Sequence, residues 1–168
     1  VFMDQSMAPL EKIILYHQVI ELKPEDERGK QMILSLADAY DALDLIHEAI
    51  QVLENNMSSF KDDLYVKASM KLGQLYYLIQ KNDEALGRMD DVLKNPISSD
   101  IQRDALMMKA RIWVDKGDIP KGLSLLTDDH FDVLSLKGQI LWQNKMWSDA
   151  YDTFKKLMNH GACPPLDR

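Results

Sequence analysis

The chain has 168 residues, of which 46% are hydrophobic and 28% charged, and its formal net charge at pH 7 is −7. This length and composition favour a soluble globular domain with a sizeable core over a disordered chain. The acidic balance argues against nucleic acid or an anionic membrane surface as the partner, and the apolar runs are too short to span a bilayer. The single cysteine, Cys163, excludes an internal disulfide framework but leaves the compartment undecided between the cytoplasm and a bacterial periplasm.

Apolar and turn-forming residues predict helices along the whole chain, and no stretch alternates with the period of a strand. The segment 9–24 predicts one leading helix that stops at Pro24. Helix pairs are predicted in the segments 30–60, 64–96, 100–128 and 130–160, followed by a tail at 161–168. Because the first residues look like the remainder of an earlier pair, we expect this single domain to be part of a longer protein.

The four predicted pairs share a pattern of small and large residues. In the first helix a small residue precedes a large one by three positions, and in the second helix by four. The small residues are Ala37, Gly73, Ala110 and Gly138 in the first helices and Ala49, Ala85, Gly122 and Ala150 in the second; the large ones are Tyr40, Tyr76, Trp113 and Leu141, then Leu53, Met89, Leu126 and Phe154. Such spacing puts both residues on one helical face, and the small ones let two helices approach closely.

The third pair departs from the others in length. Gly117 and Pro120 lie where a turn and a first helical residue prefer them, which predicts a helix beginning there. The step from Ala110 to Gly138 is only 28 residues. We therefore expect a shortened second helix, at about 120–126, that ends at the polar residues TDDH.

The small and large pattern resembles the tetratricopeptide repeat (TPR), a helix-turn-helix unit of about 34 residues. The resemblance covers about residues 30–160 and implies an all-α fold, a right-handed α-solenoid of antiparallel helix pairs forming a TPR-like superhelix. The copies are degenerate, since the closing proline of the family appears only at Pro96. The family's tryptophan position is occupied by Ile33, Ser69, Leu106 and Leu134.

The resemblance implies a protein-protein interaction scaffold that binds a peptide or partner helix on a concave face lined by the first helices. Tyr77 and Trp142 are the candidate anchors, and each either contacts the partner or packs against a neighbouring repeat. Arg111 pairs either with a partner carboxylate or with Asp115, four residues on. The candidate partner-binding residues are Tyr77, Trp142, Gln74, Arg111, Gln139, Asp38, Asp41, Met70 and Met107.

Several carboxylates at the implied concave positions indicate the chemistry of the partner. They are Asp38, Asp41, Asp104 and Asp132. They argue against the cluster of Lys, Asn and Arg with which some relatives hold acidic C-termini. An acidic and partly apolar groove favours a protein or peptide with basic and hydrophobic residues.

Two other functions stay open: a structural component that self-associates through its end repeats, and a secretion-type chaperone for a disordered client. We predict no enzymatic activity, no cofactor and no metal. The histidines are scattered along the chain, and His160 with Cys163 lacks the further ligands of a metal site. Glycine-rich phosphate loops are also absent from the sequence.

Overall fold

The computed structural model describes residues 7–19 and 26–159, and every regular element in these ranges is helical. The prediction of an all-α fold is confirmed. Residues 20–24 of the predicted leading helix, His160, Cys163 and the tail lie outside the described residues. The helices are α1 (Pro9–Val19), α2 (Glu27–Ala42), α3 (Ile46–Asn56), α4 (Asp62–Leu78), α5 (Asn82–Leu93), α6 (Ser99–Asp115), α7 (Ile119–Ser124), α8 (Phe131–Gln143) and α9 (Trp147–Asn159), with a short 3-10 turn at Met57–Ser59.

The chain divides into two compact units, Val1–Ile97 and Ser98–Arg168. In the first unit α2 packs against α3 and α4 against α5, while α1 packs on α2. The largest completely buried apolar side chains of this unit are aliphatic or Met. They include Ile33, Leu36, Leu53, Leu72, Leu75 and Met89. The pairing of neighbouring helices follows from the short turns between them.

In the second unit α6 packs against α7 and α8 against α9, and α6 also contacts α8. One apolar cluster joins α6, α8 and the segment after α7. Its buried members are Ala110, Leu126, Val133, Leu136 and Ile140. The division of the chain into repeats at the predicted boundaries stays a prediction.

All eight small residues of the repeating pattern are buried. In α8, for example, a Cβ added to Gly138 would lie 2.5 Å from Cε1 of Phe154, the large residue of the facing helix. Within each pair the small residue thus lets the two helices approach, as the spacing predicted.

The short second helix predicted for the third pair is confirmed as α7, which has six residues. Gly117 precedes it with φ of +87°, a left-handed conformation that glycine adopts without a Cβ penalty. The Asp118 carboxylate accepts a hydrogen bond from the Lys121 backbone N–H at 3.1 Å and caps the first turn. Pro120 lies in that turn, where its missing N–H costs no helical hydrogen bond.

Tyr76 of α4 forms a buried polar contact with α3. Its side chain is 5% exposed, and its hydroxyl donates a hydrogen bond to the Glu54 carboxylate. Burial, followed by this hydrogen bond, raises the pKa of Tyr76 to about 12. Both effects favour the neutral phenol, so the contact depends on the protonation of Tyr76.

This contact predicts a loss of stability at alkaline pH. The folded pKa of Tyr76 lies above the unfolded value of about 10, so its contribution is fully present below pH 10 and is lost as pH rises towards 12. We expect Tyr76→Phe, which has no hydroxyl to ionise, to lose less unfolding free energy than the wild type across this range. Urea unfolding at several pH values from 9 to 12 measures the difference. Parallel profiles for the two proteins would contradict the assignment.

Candidate functional site

On each of α2, α4, α6 and α8 the predicted partner-binding residues lie three or four positions apart and so share one side of that helix. We call this side the inner face and describe it separately for each unit. Within the first unit, Asp38 and Gln74 are exposed, while Asp41, Met70 and Tyr77 are partly buried. Asp38 and Asp41 are three residues apart in α2 and therefore point to the same side of that helix. The inner face of the first unit thus carries carboxylate, amide, thioether and phenol groups.

The structure brings Asp38 and Asp41 together through Lys71, which sequence reasoning did not select. Lys71 Nζ in α4 lies 2.8 Å from Asp38 Oδ1 and 2.7 Å from Asp41 Oδ2. The Lys71 side chain is 20% exposed, so this ion pair is partly shielded from water. It connects the inner faces of α2 and α4 directly.

The ion pair changes the predicted charge of this surface. Burial alone would lower the pKa of Lys71, but hydrogen bonds and charge attraction from Asp38 and Asp41 outweigh it, and the pKa is raised. Lys71 therefore stays protonated at neutral pH and offsets one of the two carboxylate charges. The prediction of an acidic groove overstated the negative charge here, because it did not include this lysine.

The second unit places Arg111, Gln139 and Trp142 at the surface, and Met107 partly buried against the apolar cluster. Gln139 and Trp142 are three residues apart on α8 and so share one face. The Trp142 side chain is 58% exposed. An exposed amide beside an exposed indole offers hydrogen bonds and contact area on the same helix.

Trp142 contacts a second indole that sequence reasoning also missed. The ring centroids of Trp142 and Trp147, the first residue of α9, are 4.8 Å apart with an interplanar angle of 74°. This is the edge-to-face arrangement that aromatic quadrupoles favour. Trp147 is itself 52% exposed, so the two indoles together present aromatic area to solvent where the chain passes from α8 to α9. The signal in the sequence was the five-residue spacing across a predicted turn.

The described residues contain no group of three His, Cys, Asp or Glu side chains placed to hold a metal ion. Among the same residues, no helix combines the length and the apolar character needed to cross a membrane. Residues His160 and Cys163, considered as a metal-motif fragment from the sequence, fall outside this range. The predicted partner-binding residues in these ranges present aromatic area, amides and a few charges.

No protein-family model matches the sequence, and no curated protein matches it. Solved structures do share its architecture. A crystal structure of MamA matches with a TM-score of 0.72 at 16% identity, covering 90% of this chain and 87% of the other. A Podosopora anserina putative kinesin light chain with nearly identical TPR-like repeats matches with a TM-score of 0.74 at 15% identity, covering 90% and 86%. The chain has a TPR-like fold.

A third match extends the same result. MamA, residue 41 to the end, from Desulfovibrio magneticus RS-1 has a TM-score of 0.71 at 14% identity, covering 90% of this chain and 84% of the other. The TPR-like fold is thus shared by proteins with little sequence in common. This is expected when the fold depends on a few small and large positions, since many residues between them are free to vary. The predicted resemblance to TPR proteins in fold is confirmed.

Proposed function

We propose that this chain is a protein-interaction scaffold that binds a peptide or partner helix on its inner face. The exposed Trp142, in contact with Trp147, is the observation that carries the proposal. Exposed indoles are costly to leave in water and are enriched among the residues that dominate binding energies. Gln74 and Gln139 lie exposed on inner-face helices, where an amide can pair with a peptide backbone.

The proposed partner combines hydrophobic with basic residues. Its hydrophobic residues would cover Trp142, and its basic residues would meet Asp104 and Asp132, which are exposed. Such a partner differs from the acidic C-termini that some TPR proteins hold with a cluster of Lys, Asn and Arg.

Affinity capture with the whole chain tests the proposal. We expect Trp142→Ala to reduce the amount of the captured partner about tenfold or more, because truncating a central aromatic anchor costs upwards of about 2 kcal/mol. The matched control is Tyr151→Ala, which truncates another exposed aromatic side chain, on α9 instead of the inner face. Circular dichroism confirms that both variants fold. Capture that is unchanged by Trp142→Ala, or equally reduced by both variants, would refute binding at the inner face.

Self-association is a second candidate function, favoured by exposed apolar side chains on the first and last described helices. On α1 these are Leu10 and Ile14; on α9 they are Trp147, Tyr151 and Met158. Each set has the spacing of a single helical face. If the chain self-associates, the molar mass measured by light scattering rises with concentration. Tyr151→Ala should reduce that rise and Trp142→Ala should not, so the same two variants distinguish the candidates.

A further inference from the structure

The short α7 leaves part of α6 without a helix against it. The residues Gly122 of α7 and Ala110 and Val114 of α6 are in close contact: a Cβ on Gly122 would lie 2.8 Å from both the Ala110 carbonyl oxygen and Val114 Cγ2. With six residues α7 is about 9 Å long, whereas α6, with 17 residues, is about 25 Å long. The close contact between α6 and α7 therefore lies at the C-terminal end of α6.

A cavity of about 220 Å³ lies against the N-terminal half of α6. The α6 residues that line it have the spacing of one helical face. They are Ser99, Gln102, Arg103, Leu106 and Met107. The segment 125–128, which follows α7, and Val133 of α8 complete the walls. The cavity is thus bordered by the residues at which α7 has already ended.

The buried part of the cavity wall is apolar. Leu106, Met107, Leu125, Leu126 and Val133 line it, and Leu126 and Val133 are almost completely buried. Met107 has a flexible thioether chain that adapts to the shape of a guest. Apolar cavities of roughly 150 Å³ admit a benzene ring, so this one has room for a large aliphatic or aromatic side chain.

The charged residues that line the cavity are Arg103 and Asp128, and Asp100 binds Arg103 from outside the lining. The Arg103 guanidinium is hydrogen-bonded to Asp100, and its Nη1 lies 3.9 Å from Asp128 Oδ2. Arg103 is mostly buried, whereas the side chains of Asp100 and Asp128 are 75% and 56% exposed. The charge presented to solvent at the rim is therefore that of carboxylates, which attract a cation.

We propose that this cavity is a specificity pocket for one large apolar side chain of a partner peptide, flanked by a basic residue that pairs with Asp128 or Asp100. The inference rests on the proposed function, because it specifies which residue of the bound partner the chain selects. It adds a pocket beside the early end of α7 that shares only Met107 with the predicted partner-binding residues. A peptide docks here by inserting its apolar side chain against Leu126 and Val133 while its cation stays at the rim.

Synthetic octapeptides test the pocket without any natural partner. Three peptides carry Lys-Phe-Lys, Lys-Ala-Lys or Glu-Phe-Glu at their centre, in the same Gly-Ser surroundings. We expect the Lys-Phe-Lys peptide to shift the methyl NMR signals of Leu126 and Val133 in the whole chain. Its dissociation constant should be at least about tenfold lower than that of the Ala peptide. The Glu-Phe-Glu peptide should also bind more weakly, because its charges repel those at the rim.

Two variants locate the binding. Thr127→Trp, at an exposed lining residue, should fill the cavity and abolish the methyl shifts caused by the Lys-Phe-Lys peptide. Asp128→Asn should remove most of the preference for Lys over Glu, while its neighbour Asp129→Asn, outside the lining, serves as the matched control. Methyl signals that no peptide shifts, or tighter binding of Glu-Phe-Glu, would overturn the proposal. This result is independent of the effect of Trp142→Ala on capture, so failure of the pocket and failure of the inner face are distinguishable.

Discussion

Met89→Ala is expected to lower the free energy of unfolding by about 2–5 kcal/mol, the range measured when large buried side chains are truncated. Met89 is completely buried in α5, and its terminal methyl occupies the space over Gly73 of α4. Gly73 has no side chain to fill the vacated volume. The substitution therefore removes apolar contact and leaves a cavity between the two helices, which are the best preserved copy of the repeating pattern.

Met158→Ala is the matched control for this substitution. It makes the same chemical change at a helical position that is 66% exposed, so we expect a change within about 0.5 kcal/mol. Urea unfolding followed by circular dichroism measures both variants. Similar losses for Met89→Ala and Met158→Ala would mean that α4 and α5 do not pack as described.

Gly122→Ala and Gly87→Ala are expected to change stability in opposite directions. At Gly122 the added methyl group meets the backbone carbonyl of Ala110, which cannot move without displacing α6, so a loss of about 1–3 kcal/mol is expected. At Gly87, exposed in α5, an added Cβ has no atom within 4 Å. There the higher helix propensity of alanine should raise stability by about 0.5–1 kcal/mol.

Thermal unfolding of these two variants and the wild type measures the contrast. A stabilising Gly122→Ala would show that α7 can move away from α6 at little cost, and would contradict close packing in the third pair. A destabilising Gly87→Ala would contradict its exposed position. Both changes replace glycine by alanine within a helix. A difference in the sign of the stability change therefore comes from the surroundings of each glycine.

The features that sequence reasoning predicted well are those that a single helix reveals by itself. The buried small residues, such as Gly73 and Gly138, were identified from their spacing to large ones. The start of α7 was predicted from Gly117 and Pro120, and its early end from the 28-residue step. Periodicity and turn residues are local properties, so they survive in a chain whose copies have diverged.

The candidate site was predicted less completely, because its chemistry depends on pairs of helices. Lys71 is 30 residues or more from both of its partners, and only the relative offset of α2 and α4 brings its ammonium between Asp38 and Asp41. The contact of Trp142 with Trp147 similarly depends on how the chain turns between α8 and α9. Helical spacing identifies the face on which a residue lies but not the neighbour it meets.

The brevity of α7 also bears on how the second unit fluctuates. A helix of six residues is far below the length at which helices persist in water by themselves, so α7 exists only through its contacts with α6. Local opening should therefore begin at 119–124, and its backbone amides should exchange with solvent sooner than those in the middle of α8. Residues 125–128, which line the cavity, follow α7 directly. A peptide bound there would therefore suppress the opening of α7, which makes this short helix a place where binding and local folding are coupled.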